Sequence, residues 1–196
     1  MLKKRTTERC HPKKISGTKS TWVFLAIGAV ILMMQSLAYA ETRNSSTIRD
    51  RIYSNSQMSK YKEFKNCIYW EAKKNKIDEL ILMAVILAEF GDPETVSRNN
   101  DGTNDYSIMQ INDVRMGEVV DRGFDPQRTK IDGCYNIRVG SEILGSEIKN
   151  ANYNLWLGIG RYHYHEKGKN PHNHYKYRAR VANKLHYLIG FTSAKI

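Results

Sequence analysis

Glu89 stands directly after nine consecutive apolar residues, Leu80–Ala88, and a second carboxylate, Asp105, follows sixteen positions later in a polar turn. An acid at the end of an apolar helix is costly unless it is used protonated or its charge is well solvated. Burial and the negative end of a helix both raise a carboxyl pKa, so Glu89 is suited to hold a proton near neutrality and release it to a leaving oxygen. Asp105 sits among turn residues, where ionisation is easy. One neutral carboxyl beside one ionised carboxyl is the pair that retaining glycosidases use, about 5 Å apart. The alternatives are a surface Glu marking a helix end and a turn-capping Asp like its neighbour Asp101.

Beyond Asp105, Gln110 and Asn112 alternate with Met109 and Ile111, as they would on a strand edge facing a cleft. Amides there suit sugar hydroxyls and acetamido groups. Two His-x-His pairs, His163/His165 and His172/His174, raise the question of a metal. Tyr162–His165 reads as helical, and positions two apart on a helix face different ways, so no metal site is expected. The run from Ser97 has part of the spacing of a calcium loop, but Ile108 stands at the closing bidentate position, where a Glu is required.

The elements that must position these groups are mostly helical. Tyr61, Phe64, Ile68 and Ala72 fall on one helical face, with Cys67 beside it. Asp78 is a plausible N-cap, with Ile77 and Leu82 forming a staple around it. The helix it opens is apolar all round and belongs at the centre of a domain. Gly91-Asp92-Pro93 should end that helix, and Asn99–Asp105 is turn chemistry between short strands. Gly123–Pro126 marks a break. Asn136 to about Lys149 reads as a helix capped by Asn136, and Tyr153–Tyr164 and Tyr175–Ile189 read as two more. The expected fold is mainly α, a single helical domain with a small β or loop element beside a cleft.

The chain carries a net charge of +11, but seven of its 31 Lys and Arg and only one of its 20 acids fall in residues 1–40. That segment also holds the apolar run Trp22–Met34 and a small-x-small pattern, Ala38-Tyr39-Ala40, and it reads as an export signal. The alternative is an uncleaved anchor, the one case in which the protein would stay at a membrane. Residues 41–59 are polar and aperiodic and read as a linker or loose arm, 60–190 as the domain, and 191–196 as a tail. Past residue 40 the net charge is +5, a balance that favours an anionic polymer without specifying which. No Lys/Arg run is interleaved with aromatics in the way that tracks nucleic acid, so no nucleic-acid partner is expected. Cys67 and Cys134 are the one cysteine pair past the signal. In an oxidising compartment they would form a disulfide; otherwise they are two free thiols.

Taken together, these segments resemble the lysozyme-like lytic transglycosylases, in particular small exported members that accompany secretion, pilus and conjugation machines. Ala84–Glu89 is similar to that family's helix end, and Ser107–Ile111 to its Gly-(Ile/Leu)-Met-Gln-Ile segment. Asp125-Pro126, Asn136-Ile137, Gly140 and Ile143-Leu144 look like a later stretch, and Tyr177 and Val181 like its closing Tyr-x-x-x-Val. Gly160–His163 is similar to a signature whose Tyr contacts the catalytic Glu, which implies that Tyr162 holds Glu89. The chain departs from the family pattern at Phe90, Ser107 and His163, where Ser, Gly and Asn are usual. The turn Asn100–Tyr106 also resembles chicken-type animal lysozymes, whose second carboxylate corresponds to Asp105. The resemblance implies cleavage of peptidoglycan glycan strands with Glu89 and Asp105 as catalytic groups. It also implies that Ser107, Met109, Gln110, Asn112 and Tyr162 bind substrate, without a cofactor.

Overall fold

A computed structural model describes residues 33–35, a helical turn, and 47–192. The proposed signal therefore lies almost entirely outside the described residues, and the tail from 193 on does too. Among the described residues no helix is long and apolar enough to cross a membrane.

Residues 47–192 form a mainly helical fold around one central helix. Helix α1 (47–55) is followed by a 3-10 helix, Gln57–Phe64, and by α2, Lys65–Lys74. Part of the segment read as a loose arm is therefore ordered. Ile52, Tyr53 and Met58 are buried in the core, and Ser56 caps the turn by accepting from Met58 N–H. Polar composition concealed this because only these few side chains carry the packing.

Central α3, Glu79–Glu89, buries every residue from Ile81 to Ala88 and packs against α2 and α8. Asp78 caps it through Leu80 N–H, as its position before the apolar run predicts. The helix stops at Phe90, which takes the left-handed conformation (φ 55°), one residue before the expected Gly-Asp-Pro stop. A non-glycine residue there costs roughly 1–2 kcal/mol. Gly91 serves close approach instead, since a Cβ on it would lie 2.0 Å from the Ser107 carbonyl oxygen. The chain leaving Glu89 thus runs directly under the loop that follows Asp105.

That loop belongs to a three-stranded antiparallel sheet: β1, Val96–Arg98; β2, Asn104–Tyr106; β3, Ile111–Asn112. Its register sets Asp105 opposite Ser97 on one side and Asn112 on the other. After β3 come a 3-10 turn, Asp113–Arg115, then α4 (Met116–Asp121) and α5 (Pro126–Ile131). Helices α6 (Gly133–Asn150), α7 (Leu155–His163) and α8 (Pro171–Thr192) complete the domain.

Helix α6 starts three residues earlier than expected, because Asp132 is its cap, accepting from Tyr135 N–H. Asn136 lies a turn inside and is fully buried. Its amide oxygen accepts from Met109 N–H, and its NH2 donates to the carbonyls of Tyr106 and Thr129. A buried amide satisfied by three backbone groups of other segments is a tertiary tie, invisible to capping rules. One turn on, Gly140 leaves room for Met109; a Cβ would sit 2.5 Å from its sulfur. The disulfide Cys67–Cys134 joins α2 to α6.

Candidate active site

A cleft of about 490 Å³ opens between the C-terminus of α3, the sheet and the end of α7, and both Glu89 and Asp105 line it. Glu89 is carried there as the last residue of α3, so its position is set by the packing of a fully apolar helix. Its Oε1 accepts a 2.6 Å hydrogen bond from the hydroxyl of Tyr177, which is completely buried on α8. Burial raises the Glu89 pKa to about 7; the Tyr177 bond and Arg180 oppose that rise, Asp105 adds to it, and Arg115 opposes it. Desolvation outweighs the charge-stabilising contacts, so the carboxyl retains a proton near neutrality.

Asp105 is placed by the sheet register. Asn112, directly across on β3, donates to Oδ1 at 2.7 Å, and Asn99, from the β1–β2 turn, donates to Oδ2 at 3.0 Å. Both carboxylate oxygens are thereby pinned in place by amides. The loop beyond is held in an unusual shape, with Ser107 and Gln110 both at positive φ. It is clamped at Met109, whose N–H goes to Asn136 and whose carbonyl accepts from Tyr162 Oη at 2.8 Å.

Several expected roles change accordingly. Tyr162 does line the cleft, but its hydroxyl is spent on Met109; Tyr177 is the residue that holds Glu89. Ser107 and Met109 are fully buried and absent from the cleft wall. Gln110 lines the cleft from a turn rather than a strand, and its Nε2 donates to the Ser107 carbonyl. Asn112 lines the cleft as expected, with its amide NH2 engaged by Asp105 and Thr103.

The cleft also holds Arg115, which spacing did not single out, and His163, which spacing raised only as a member of a His-x-His pair. Arg115 spans from the sheet side to α7, donating to the carbonyls of Arg161 and Tyr162. His163 lies flat on Tyr177, ring centroids 4.5 Å apart and planes 10° apart. No local pattern could have paired Glu89 with Tyr177, 88 positions away; the closing Tyr-x-x-x-Val was the available signal. The other His-x-His members scatter: His165 and His172 are exposed, while buried His174 faces the Tyr164 carbonyl. Among the described residues, no three His, Cys, Asp or Glu are grouped to hold a metal ion.

The transglycosylase SLT domain profile matches residues 66–186, more than half of the chain, and the span includes Glu89, Asp105, Tyr162 and Tyr177. The chain belongs to that family. Among curated proteins it is similar to the Invasion protein IagB of Salmonella typhimurium, in strains SL1344 and LT2. Identity is 28% over 96 residues, which is 48% of this chain and 59% of each relative. The chain thus spans less than two thirds of the relatives it matches. The family is one of lytic transglycosylases.

Within the SLT domain, the Tyr177 bond gives a measurable expectation. Tyr177→Phe removes a donor to the ionised form of Glu89, so the basic limb of the pH–activity profile should move upward. A hydrogen bond to a charged group is worth roughly 1.5–3 kcal/mol, so kcat should fall by about ten- to a hundredfold. An unchanged limb would show that the bond does not govern Glu89.

Proposed function

We propose that the protein is a peptidoglycan lytic transglycosylase that cleaves the β-1,4 bond between N-acetylmuramic acid and N-acetylglucosamine. Glu89 protonates the glycosidic oxygen as the bond to C1 breaks. The resulting carboxylate then accepts the proton of the muramic acid 6-hydroxyl while that oxygen bonds to C1. A 1,6-anhydro ring forms, and no water is consumed. One group can serve as acid and then base because the first transfer leaves it deprotonated. The observation that carries this reading is Glu89 itself: half-shielded in a cleft, held by Tyr177, with its pKa raised to about 7.

Asp105 supports a second reading, a lysozyme-type hydrolase in which it acts as nucleophile or charge stabiliser. Its two oxygens are each engaged by an amide, an arrangement better suited to stabilising positive charge at C1 than to attacking it. Mass spectrometry of digested sacculi separates the two readings. Anhydro ends are expected; reducing ends throughout would establish the hydrolase. The basic limb of the pH–activity profile is expected near 7, because activity requires the protonated acid and that fraction falls as pH rises through the Glu89 pKa.

The setting we propose is the periplasm, after export, with membrane attachment only if the N-terminal segment is retained. The disulfide supports an oxidising compartment. Similarity to an invasion protein supports local wall opening for a secretion, pilus or conjugation apparatus. Fractionation of cells is the direct check: recovery of the protein in the cytosol would refute this placement.

A further inference from the structure

We propose that His163 is a positioning residue for Glu89: its imidazole, laid over the ring of Tyr177, keeps cleft water off the Tyr177–Glu89 hydrogen bond. The inference rests on the acid role proposed for Glu89. Tyr177 has no exposed surface, although its hydroxyl reaches a carboxyl that lines an open cleft. Something must therefore cover the ring on the cleft side. His163 is placed to do so, since it keeps only part of its surface in solvent, lines the cleft and stacks nearly parallel on Tyr177 at 4.5 Å. Among the described residues it makes no hydrogen bond through its ring, so the stack is the contact that orients it.

Its backbone is fixed independently. His163 ends α7, and Arg115 anchors that end by donating to the carbonyls of Arg161 and Tyr162 at 3.2 and 2.9 Å. The groups facing the imidazole are Tyr177 and Arg180 of α8, Asp105 of β2, Arg115 of the turn after β3, and Glu89 beyond Tyr177. Burial, then Arg180, hold His163 below its ordinary range; Asp105 pulls the other way and Arg115 adds to the lowering. The ring is thus neutral where Glu89 works. A neutral ring shields without adding a third cation next to Arg180 and Arg115, both of which already favour loss of the Glu89 proton. Because desolvation is the largest cause of the raised Glu89 pKa, uncovering Tyr177 admits water and should lower it.

The test compares wild type, His163→Ala, His163→Phe and Glu89→Gln on soluble peptidoglycan strands across pH. For His163→Ala we expect kcat to fall about tenfold with KM little changed, and the basic limb to move down by about one pH unit. His163→Phe keeps a flat cover and cannot titrate, so it should restore both. The titration of the Glu89 carboxyl, followed by 13C NMR, reads the same displacement without turnover and also reports whether each variant is folded. An unmoved Glu89 titration in His163→Ala overturns the proposal. So does a raised KM that Phe does not rescue, which would mean that the ring nitrogens bind substrate. If instead Glu89→Gln retains the wild-type rate, the acid role itself fails, a result distinct from failure of the shield.

Discussion

Replacing Glu89 by Gln is expected to reduce release of muropeptides from purified sacculi by at least about a hundredfold, the minimum for loss of a positioned proton donor. Gln is close in shape and can still bond to Tyr177, so folding and strand binding should survive while proton transfer is lost. A non-catalytic wall-binding protein would show no such change, and retained activity would remove Glu89 from the chemistry.

The same substitution should act on stability with the opposite sign. Glu89 has a folded-state pKa raised to about 7 from an ordinary 4.5. Between those values the unfolded chain has lost the proton and the folded chain keeps it, so ionisation favours unfolding increasingly as pH rises. Below the unfolded value the penalty is absent, and above the folded value it is complete. Glu89→Gln should therefore melt higher than wild type at pH 8 and nearly level with it at pH 4. Equal melting temperatures at both pH values would show that the carboxyl is well solvated and the acid argument misplaced. A residue that destabilises its own fold when charged is characteristic of a site selected for activity rather than stability.

The second large effect is on stability alone. Cys67 and Cys134 close a loop with a sequence separation of 67. On the chain-entropy account such a cross-link contributes about 4 kcal/mol. Changing both cysteines to Ser should lower the melting temperature by roughly 8–16 °C, and reduction of the wild type should do the same. The bond joins α2 to α6 and neither cysteine lines the cleft, so cleavage at 25 °C should be retained. A melting temperature indifferent to reductant would mean that the packing of these two helices alone carries the domain.

The sequence by itself determined the central helix, the acid at its end and the turn that leads into the strand bearing Asp105. Those features are local: an apolar run that must be buried, a cap at Asp78, and Asn, Asp and Gly residues that favour tight turns. It also marked the cysteine pair, since only two cysteines remain past the proposed signal.

What only the tertiary structure decided is which side chain holds which. Tyr162 and Tyr177 are both tyrosines in family-like signatures, and no spacing rule says which one reaches Glu89. The packing of α8 against α3 delivers Tyr177, while Tyr162 is drawn to the Met109 carbonyl. Asn136 looked like a cap because caps and buried ties use the same short amide; Asp132 took the cap and left Asn136 to fasten the loop. Ser107 and Met109 read as cleft residues from their motif, yet burial of the loop turned them inward. Local propensity reports on the few residues around a position. Partner choice, exposure and a shifted pKa depend on groups brought together from distant parts of the chain, and they exist only once the helices have packed.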